Sequence, residues 1–243
     1  MGDARSQKSL NRFLAQGLSP GALVWLDEGE AHHLIHVLRL KEGAQVILID
    51  GCGHEYLGEV QSIKRKEAKI LVHRLLRKEP PPEKEITLLL PLLKKENTSM
   101  LVEKAVELGL KRVVLLITER TVVHGDKRFR EKLNKRALQA LKQCRRLWAL
   151  EIEGPIPLQN LREEAELKIL AYEGEEEHSL KEVLEGFSGK SLALLSGPEG
   201  GFSGPEVEFL RSKGFIPVSL GPYILRAETA AFYLMSVARY MIL

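Results

Sequence analysis

The sequence predicts an α/β protein in two parts, a small β-rich module followed by a larger domain built on a parallel sheet. Three observations lead there. Short β-like runs joined by Gly- and Asp-containing turns fill the first third of the chain. A charged stretch with three consecutive prolines follows, residues 77–85 (RKEPPPEKE), and reads as a stiff linker. Beyond it, apolar runs of strand length alternate with helical patterns, the rhythm of βαβ units. The expected division is therefore residues 1–76, linker 77–85 and 86–243.

Residues 29–40 (GEAHHLIHVLRL) have helical periodicity, with Ala31, Leu34, Val37 and Leu38 on one face. Strand-like runs follow at 45–50, 56–63 and 68–76. Asp50-Gly51 and Gly53 supply hairpin chemistry between the first two, and residues 61–67 a polar turn before the third. His32 and His36 have the i,i+4 spacing of a metal pair. No carboxylate or cysteine motif completes a site, surface or capping histidines are the commoner case, and no metal is expected.

After the linker, residues 86–93 form an apolar run interrupted by Pro91, read as a strand and its exit loop. Residues 98–108 read as a helix with Met100, Leu101, Ala105 and Leu108 as core positions and Gly109 as its C-cap. Residues 112–117 read as a second strand. Residues 127–146 carry nine basic side chains against Glu131 alone, a net of +8. Phe129, Leu133, Ala137, Leu141, Cys144 and Trp148 recur every three or four positions, so this helix is amphipathic with a cationic outer face. Such a face is either a footprint for phosphates or a solvated helix surface. Residues 151–185 invert the sign, eleven acids against three bases, a net of −8. That stretch should lie away from any nucleic acid. Within it, residues 168–172 read as a strand ending in Glu173-Gly174.

The last fifty residues concentrate the chemistry. The run Leu192-Ala193-Leu194-Leu195 has strand length and ends in Ser196-Gly197-Pro198-Glu199-Gly200-Gly201. Ser203 and Glu206 then form an S-x-x-E capping box, with Pro205 in the first turn. Strand, Gly-rich turn and helix N-terminus is the arrangement that holds nucleotides at the carboxyl ends of α/β strands. A second unit repeats it: a strand at 215–220, a break at Gly221-Pro222, the segment ILRAETAA (224–231) and an apolar helix over 230–243. The two loops either face one ligand or are two ordinary βα turns.

The whole chain of 243 residues has a net charge of +3 and 44% hydrophobic residues, ordinary for a globular protein. No apolar run has the length of a membrane span. The first fourteen residues are polar and lack a signal-peptide core. Cys52 and Cys144 have no metal-ligand spacing and read as reduced thiols. A cytoplasmic protein is expected.

GPEGGFS (197–203), then Leu220-Gly221, Ile224-Leu225-Arg226 and Glu228-Thr229-Ala230 resemble the C-terminal signature of the ribosomal RNA small-subunit methyltransferase E family. That family belongs to the SPOUT superfamily of S-adenosylmethionine-dependent RNA methyltransferases. Further matches are His36-Val37-Leu38-Arg39-Leu40, Gly43, Asp50-Gly51, Lys104-Ala105, Glu107-Leu108-Gly109 and Glu119-Arg120-Thr121-Val122-Val123. The resemblance spans essentially the whole chain. It implies a PUA-like β-barrel that binds RNA, then a SPOUT domain with a parallel sheet and a trefoil knot, which physics alone would not propose because knots are rare.

The resemblance also implies a site. S-adenosylmethionine would be held by Leu195, Gly197, Glu199, Gly200, Gly201, Leu220, Gly221, Ile224, Leu225 and Thr229, with contact to RNA or bracing of the knot as other roles for Glu199. RNA would meet Arg39, Arg128, Lys132, Lys135, Arg145 and Arg146, Gln143 and Arg146 loosely matching a family Gln-x-x-Arg element. For Arg39 the alternative is packing on the barrel surface. The implied acceptor is N3 of a uridine in 16S RNA, free or in the assembled small subunit. Arg226 is the candidate to stabilise negative charge on the base, and Glu228 to orient Arg226 or take the proton; a helix-start ion pair is the alternative for both. The family is homodimeric, with the pocket near the subunit interface. The C-terminal helix (Phe232, Leu234, Val237, Ala238, Met241) forms part of that interface or packs internally. Tyr223 stands where many members have Arg, which puts a second arginine contact in doubt, and Lys142 where an acid is usual. Other readings are a SPOUT enzyme acting on another base or on tRNA, and a non-catalytic RNA-binding protein. A Rossmann dehydrogenase is disfavoured, since the chain has no GxGxxG.

Overall fold

The computed structural model describes residues 10–123 and 125–242. The chain divides into two compact units. One extends to Pro81 and takes back Leu147–Ala149; the other comprises Pro82–Arg146 and continues from Leu150.

In the first unit, β1 (Arg12–Leu14), β2 (Leu23–Trp25), α1 (Glu28–His32), β3 (Gln45–Ile49), β4 (His54–Lys64) and β5 (Glu67–Lys78) follow in chain order. The sheet order is β1-β3-β4-β5-β2. β1 pairs in parallel with β3 and the other neighbours are antiparallel. β1 and β2 were not expected from sequence, because three residues are too few to show a period of two. Asp27 caps α1 by accepting from the Glu30 N–H at 2.8 Å. The expected single helix is instead broken: His33–Val37 form a π turn, with the Leu38 N–H donating to the His33 carbonyl five residues back at 2.9 Å. The wider turn rotates the following residues. Ala31 and Leu34 stay in the core, whereas Val37 is 57% exposed. Arg39 follows on the surface with φ of 52°.

The hairpin expected at Asp50-Gly51 is present. The Asp50 carboxylate accepts from the N–H groups of Cys52 (2.7 Å) and His54 (3.0 Å), a side-chain closure of the turn. Trp148 packs over Gly53, and the Ala149 N–H donates to the Gly51 carbonyl at 2.9 Å. Trp148 therefore belongs to this unit and not to the apolar stripe of the basic helix.

The second unit contains β6 (Glu85–Pro91), α2 (Lys95–Glu107), β7 (Arg112–Ile117), α3 (Lys127–Cys144), β8 (Glu151–Pro157), β9 (Leu167–Ala171), α4 (Leu180–Glu185), β10 (Ser191–Leu195), α5 (Gly204–Ser212), β11 (Ile216–Val218) and α6 (Ala227–Ile242). The order is β11-β9-β10-β6-β7-β8, and every neighbouring pair is parallel. The central strands are near-continuous Leu/Val runs because both faces of a parallel sheet are covered. β8 was not expected: its acids, Gly154, Pro155 and Pro157 hide it, and it occupies a sheet edge, where prolines are tolerated.

In α2 the inward positions are Thr98, Leu101, Val102, Ala105 and Val106, an i, i+3, i+4, i+7, i+8 stripe. Met100 falls off that stripe and is 38% exposed, and Leu108 is the half-buried C-cap; both were expected in the core. In α3, Phe129, Leu133, Ala137 and Leu141 face inward as expected, and Asp126 caps the helix by accepting from the Phe129 N–H at 2.7 Å. In α6, Ala227, Ala231, Leu234, Met235, Ala238 and Ile242 are buried. Among the described residues no helix is long and apolar enough to cross a membrane.

Candidate active site

The strand order sets β9, β10 and β6 side by side with β11 beyond β9, all pointing the same way. Their carboxyl-end loops enclose a cavity of about 580 Å³, a size suited to a nucleoside-scale ligand. The loop after β6 brings Lys94 and the first turn of α2 brings Asn97; the end of β9 and its loop bring Ala171, Tyr172 and Glu173. The turn after β10 contributes Gly197, Pro198, Glu199 and Gly201, and the segment after β11 lines the remaining wall from Ser219 to Glu228, with Ala230. Both Gly-containing loops thus line one cavity.

The turn after β10 is held from several sides. The Gly201 N–H donates to the Pro198 carbonyl at 2.9 Å. The Glu199 carboxylate accepts from the Lys94 N–H at 3.1 Å. The Arg120 guanidinium donates to the Gly200 carbonyl at 2.7 Å. Two of these positions favour glycine. A Cβ on Gly200 would sit 3.2 Å from the Arg120 side chain, and Gly201 has φ of 69° with the Glu173 carboxylate 2.9 Å from its would-be Cβ. The capping box Ser203–Glu206 then starts α5. The Glu206 carboxylate accepts from the Ser203 N–H (2.9 Å) and, with its other oxygen, from the Glu119 N–H (2.8 Å). Adjacent residues of the β7–α3 loop, Glu119 and Arg120, therefore brace the Gly-rich turn and the helix that follows it.

Of the residues expected to hold the donor, Gly197, Glu199, Gly201, Leu220, Gly221, Ile224 and Leu225 line the cavity. Leu195 is buried in the core, Gly200 carries the Arg120 contact, and Thr229 is exposed; these three lie outside the lining. Arg226 and Glu228 both line it. Among the described residues no ion pair joins them. Sequence reasoning missed Lys94, Asn97, Tyr172 and Glu173. The usable signal was their position just past the carboxyl ends of predicted parallel strands.

The expected RNA contacts separate in space. Arg128 and Lys132 line a groove between α2 and α3. Lys135 is exposed on α3, and Arg145 is its left-handed C-cap with φ of 62°. Seventeen residues of α-helical rise put Arg145 about 25 Å along the axis from Arg128. Arg146 donates to the Val106 carbonyl at 3.2 Å, beyond the end of α3. The ligating atoms of Glu175, Glu177 and His178 come within 4.8 Å of one another. The Glu175 carboxyl is held below its ordinary value by the N–H of Glu177 and further by the N–H of His178, so it is already engaged in a turn.

The chain matches a family model described as the RNA methyltransferase domain over residues 79–239. A second model, the RNA methyltransferase PUA domain, matches residues 26–72. The ribosomal RNA small subunit methyltransferase E of Aquifex aeolicus is 34% identical over 225 residues, covering 89% of this chain and 94% of that protein. The chain belongs to the ribosomal RNA small subunit methyltransferase E family. The Rickettsia conorii member is 31% identical, with 86% of each chain covered. A Legionella pneumophila methyltransferase solved with bound cofactor SAM superposes with a TM-score of 0.87 at 29% identity, covering 95% of this chain and 97% of that one. Family membership agrees with the parallel-sheet domain and the PUA-like β module expected from the sequence.

Proposed function

We propose that the chain transfers a methyl group from S-adenosylmethionine to N3 of a uridine in small-subunit ribosomal RNA, 16S RNA in bacteria. The observation that carries this reading is the single cavity faced by both Gly-containing loops, with Arg226 and Glu228 on its wall. The glycines let backbone N–H and C=O groups approach an adenosine closely, and Glu173 and Asn97 add polar groups. The donor supplies an electrophilic methyl group. The chain's task is to raise the nucleophilicity of N3, which carries a proton at neutral pH. Arg226 stabilises negative charge on the flanking carbonyl oxygens, and Glu228 receives the N3 proton as the N–C bond forms and the methyl–sulfur bond breaks. Both occupy the first approach to α6, where the helix dipole also favours negative charge.

Three further features belong to the same reading. The loops after β9, β10 and β11 form the trefoil knot of the superfamily. The enzyme works in the cytoplasm without a metal. It acts as a homodimer through the outer face of α6, where Phe232, Tyr233 and Tyr240 are exposed, while Leu234 and Ala238 pack inside the subunit.

The reading is tested by incubating the protein with S-adenosylmethionine and small-subunit particles lacking the modification, then analysing RNA digests by mass spectrometry. N3-methyluridine is expected. Another methylated nucleoside would move the acceptor and leave the donor site in place; absence of donor binding by calorimetry would reject the enzyme. The bracing of the turn adds a second expectation. Arg120→Ala removes a charge-assisted bond of about 1.5–3 kcal/mol, so the dissociation constant for S-adenosylmethionine rises at least about tenfold. At saturating donor, kcat recovers, and Arg120→Lys restores part of the affinity. Unchanged donor affinity in the alanine variant would remove Arg120 from the site.

A further inference from the structure

We propose that the groove between the N-terminal halves of α2 and α3 is a subsite for the nucleotide adjoining the one methylated. The inference rests on the RNA-methylation reading above and adds a place for the substrate's neighbouring residue. The groove has a volume of about 430 Å³, large enough for one nucleotide. Lys95 enters from α2, and Arg128, Lys132 and Arg136 from α3. The three α3 cations are four residues apart and so share one helix face. Met100 and Phe129 supply apolar surface between them.

Three details favour an RNA strand as occupant. First, Lys94 lines the donor cavity and Lys95, the next residue, lines the groove. Their Cα atoms are about 3.8 Å apart, so a strand placing one nucleotide in the cavity needs no long detour to place its neighbour in the groove. Second, the charges are available. Among the described residues Lys95, Arg128 and Lys132 have no carboxylate partner, whereas Arg136 is paired with Glu103 and Asp126 is engaged as the cap of α3. Glu96 and Asp126 also line the groove, so its wall carries four bases against two acids, a net of +2, which still fits a phosphodiester. Third, Met100 departs from the buried stripe of its helix and is left 38% exposed beside those cations. A polarisable thioether at that position suits the face of a base.

The test compares two pairs of substitutions that remove equal charge. Arg128→Ala with Lys132→Ala removes the two unpaired cations of the groove's α3 wall; Lys127→Ala with Arg130→Ala removes two cations of the same helix that do not line it. The groove pair is expected to lower kcat/KM for small-subunit particles about tenfold or more and to flatten the slope of log K against log salt by about 1.4, two single-strand phosphate contacts. Donor affinity stays unchanged in both pairs, and the second pair has the smaller effect on RNA. Equal losses in the two pairs would show a diffuse field and overturn the subsite. A photo-crosslinking phenylalanine analogue at position 100 gives the positional readout. Crosslinking to the nucleotide beside the methylated one supports the proposal; crosslinking to a second copy of the chain, or to distant RNA, overturns it. If the unaltered protein binds donor but neither binds nor methylates the particles, the RNA reading itself fails and the subsite with it, an outcome distinct from equal losses in the two pairs.

Discussion

Alanine at position 226 is expected to lower kcat by about 10²–10³-fold, the cost of removing one preorganised group that stabilises an oxyanion, with the donor dissociation constant unchanged. Arg226 lines the cavity with an exposed side chain. Its backbone is fixed, since its carbonyl accepts from the Ala230 N–H at 2.9 Å in the first turn of α6. Among the described residues its guanidinium has no carboxylate partner, so no ion pair must break before it meets charge on a base. An interaction made only as charge develops affects turnover and not ground-state binding. Single-turnover rates with donor and small-subunit particles, alongside calorimetry of donor binding, separate the two. Lysine at 226 should recover part of the rate as a point charge without the planar fork. A parallel loss of donor affinity and rate would instead make Arg226 part of the donor's binding wall. The chain has Tyr223 at the cavity, at the position where the resemblance noted arginine in many members, so no neighbouring cation from that position softens the loss.

How far the site could be read beforehand depended on whether its parts are local in sequence. The Gly-rich turn, Pro205 and the Ser203–Glu206 capping box are contiguous, and each rests on the chemistry of a few adjacent residues. They were legible. Lys94 and Glu173 were not, although they line the same cavity. They arrive from loops about a hundred and about twenty-five residues away from Glu199 in the chain, joined to it only by the order β9-β10-β6, a fact of topology. Leu195 shows the reverse. It closes the strand that leads to the turn, yet its side chain is buried with Leu89 and Leu170 in the core. In the first unit, strands β3 to β5 were legible from alternation and from the Asp50-Gly51 turn. The one-residue expansion at His33–Val37 was not, because a π turn leaves no mark in a pattern judged at 3.6 residues per turn.

Glu206→Ala should be the most damaging change outside the core, lowering stability by about 3 kcal/mol and the melting temperature by roughly 6–12 °C for a domain of this size. Glu206 is 6% exposed, and its carboxylate serves three donors: the Ser203 N–H and hydroxyl with one oxygen, the Glu119 N–H with the other. Alanine leaves all three without their acceptor, and a buried donor stripped of its partner pays its full desolvation penalty. Glutamine is the informative intermediate. It keeps one acceptor oxygen and replaces the other with an NH₂ group, which must face either Ser203 or the Glu119 N–H, donor against donor. It should therefore fall between alanine and the native residue. Glu208→Ala on the same helix is the control: that carboxylate is exposed and reaches Arg211 only at 4.0 Å, so its removal should cost less than about 0.5 kcal/mol. Differential scanning calorimetry on the three variants distinguishes a buried acceptor from a simple helix-propensity effect, since the latter would make positions 206 and 208 equivalent. The same contact ties stability to function. Glu206 anchors the residue next to Arg120, and Arg120 holds the Gly200 carbonyl; releasing the first should loosen the second. Donor affinity in Glu206→Ala should then fall at temperatures where the variant is still fully folded. An unfolding midpoint near that of the native protein, with donor affinity intact, would mean that the β7–α3 loop keeps its place without this carboxylate and that the Gly-rich turn is shaped by its own sequence alone.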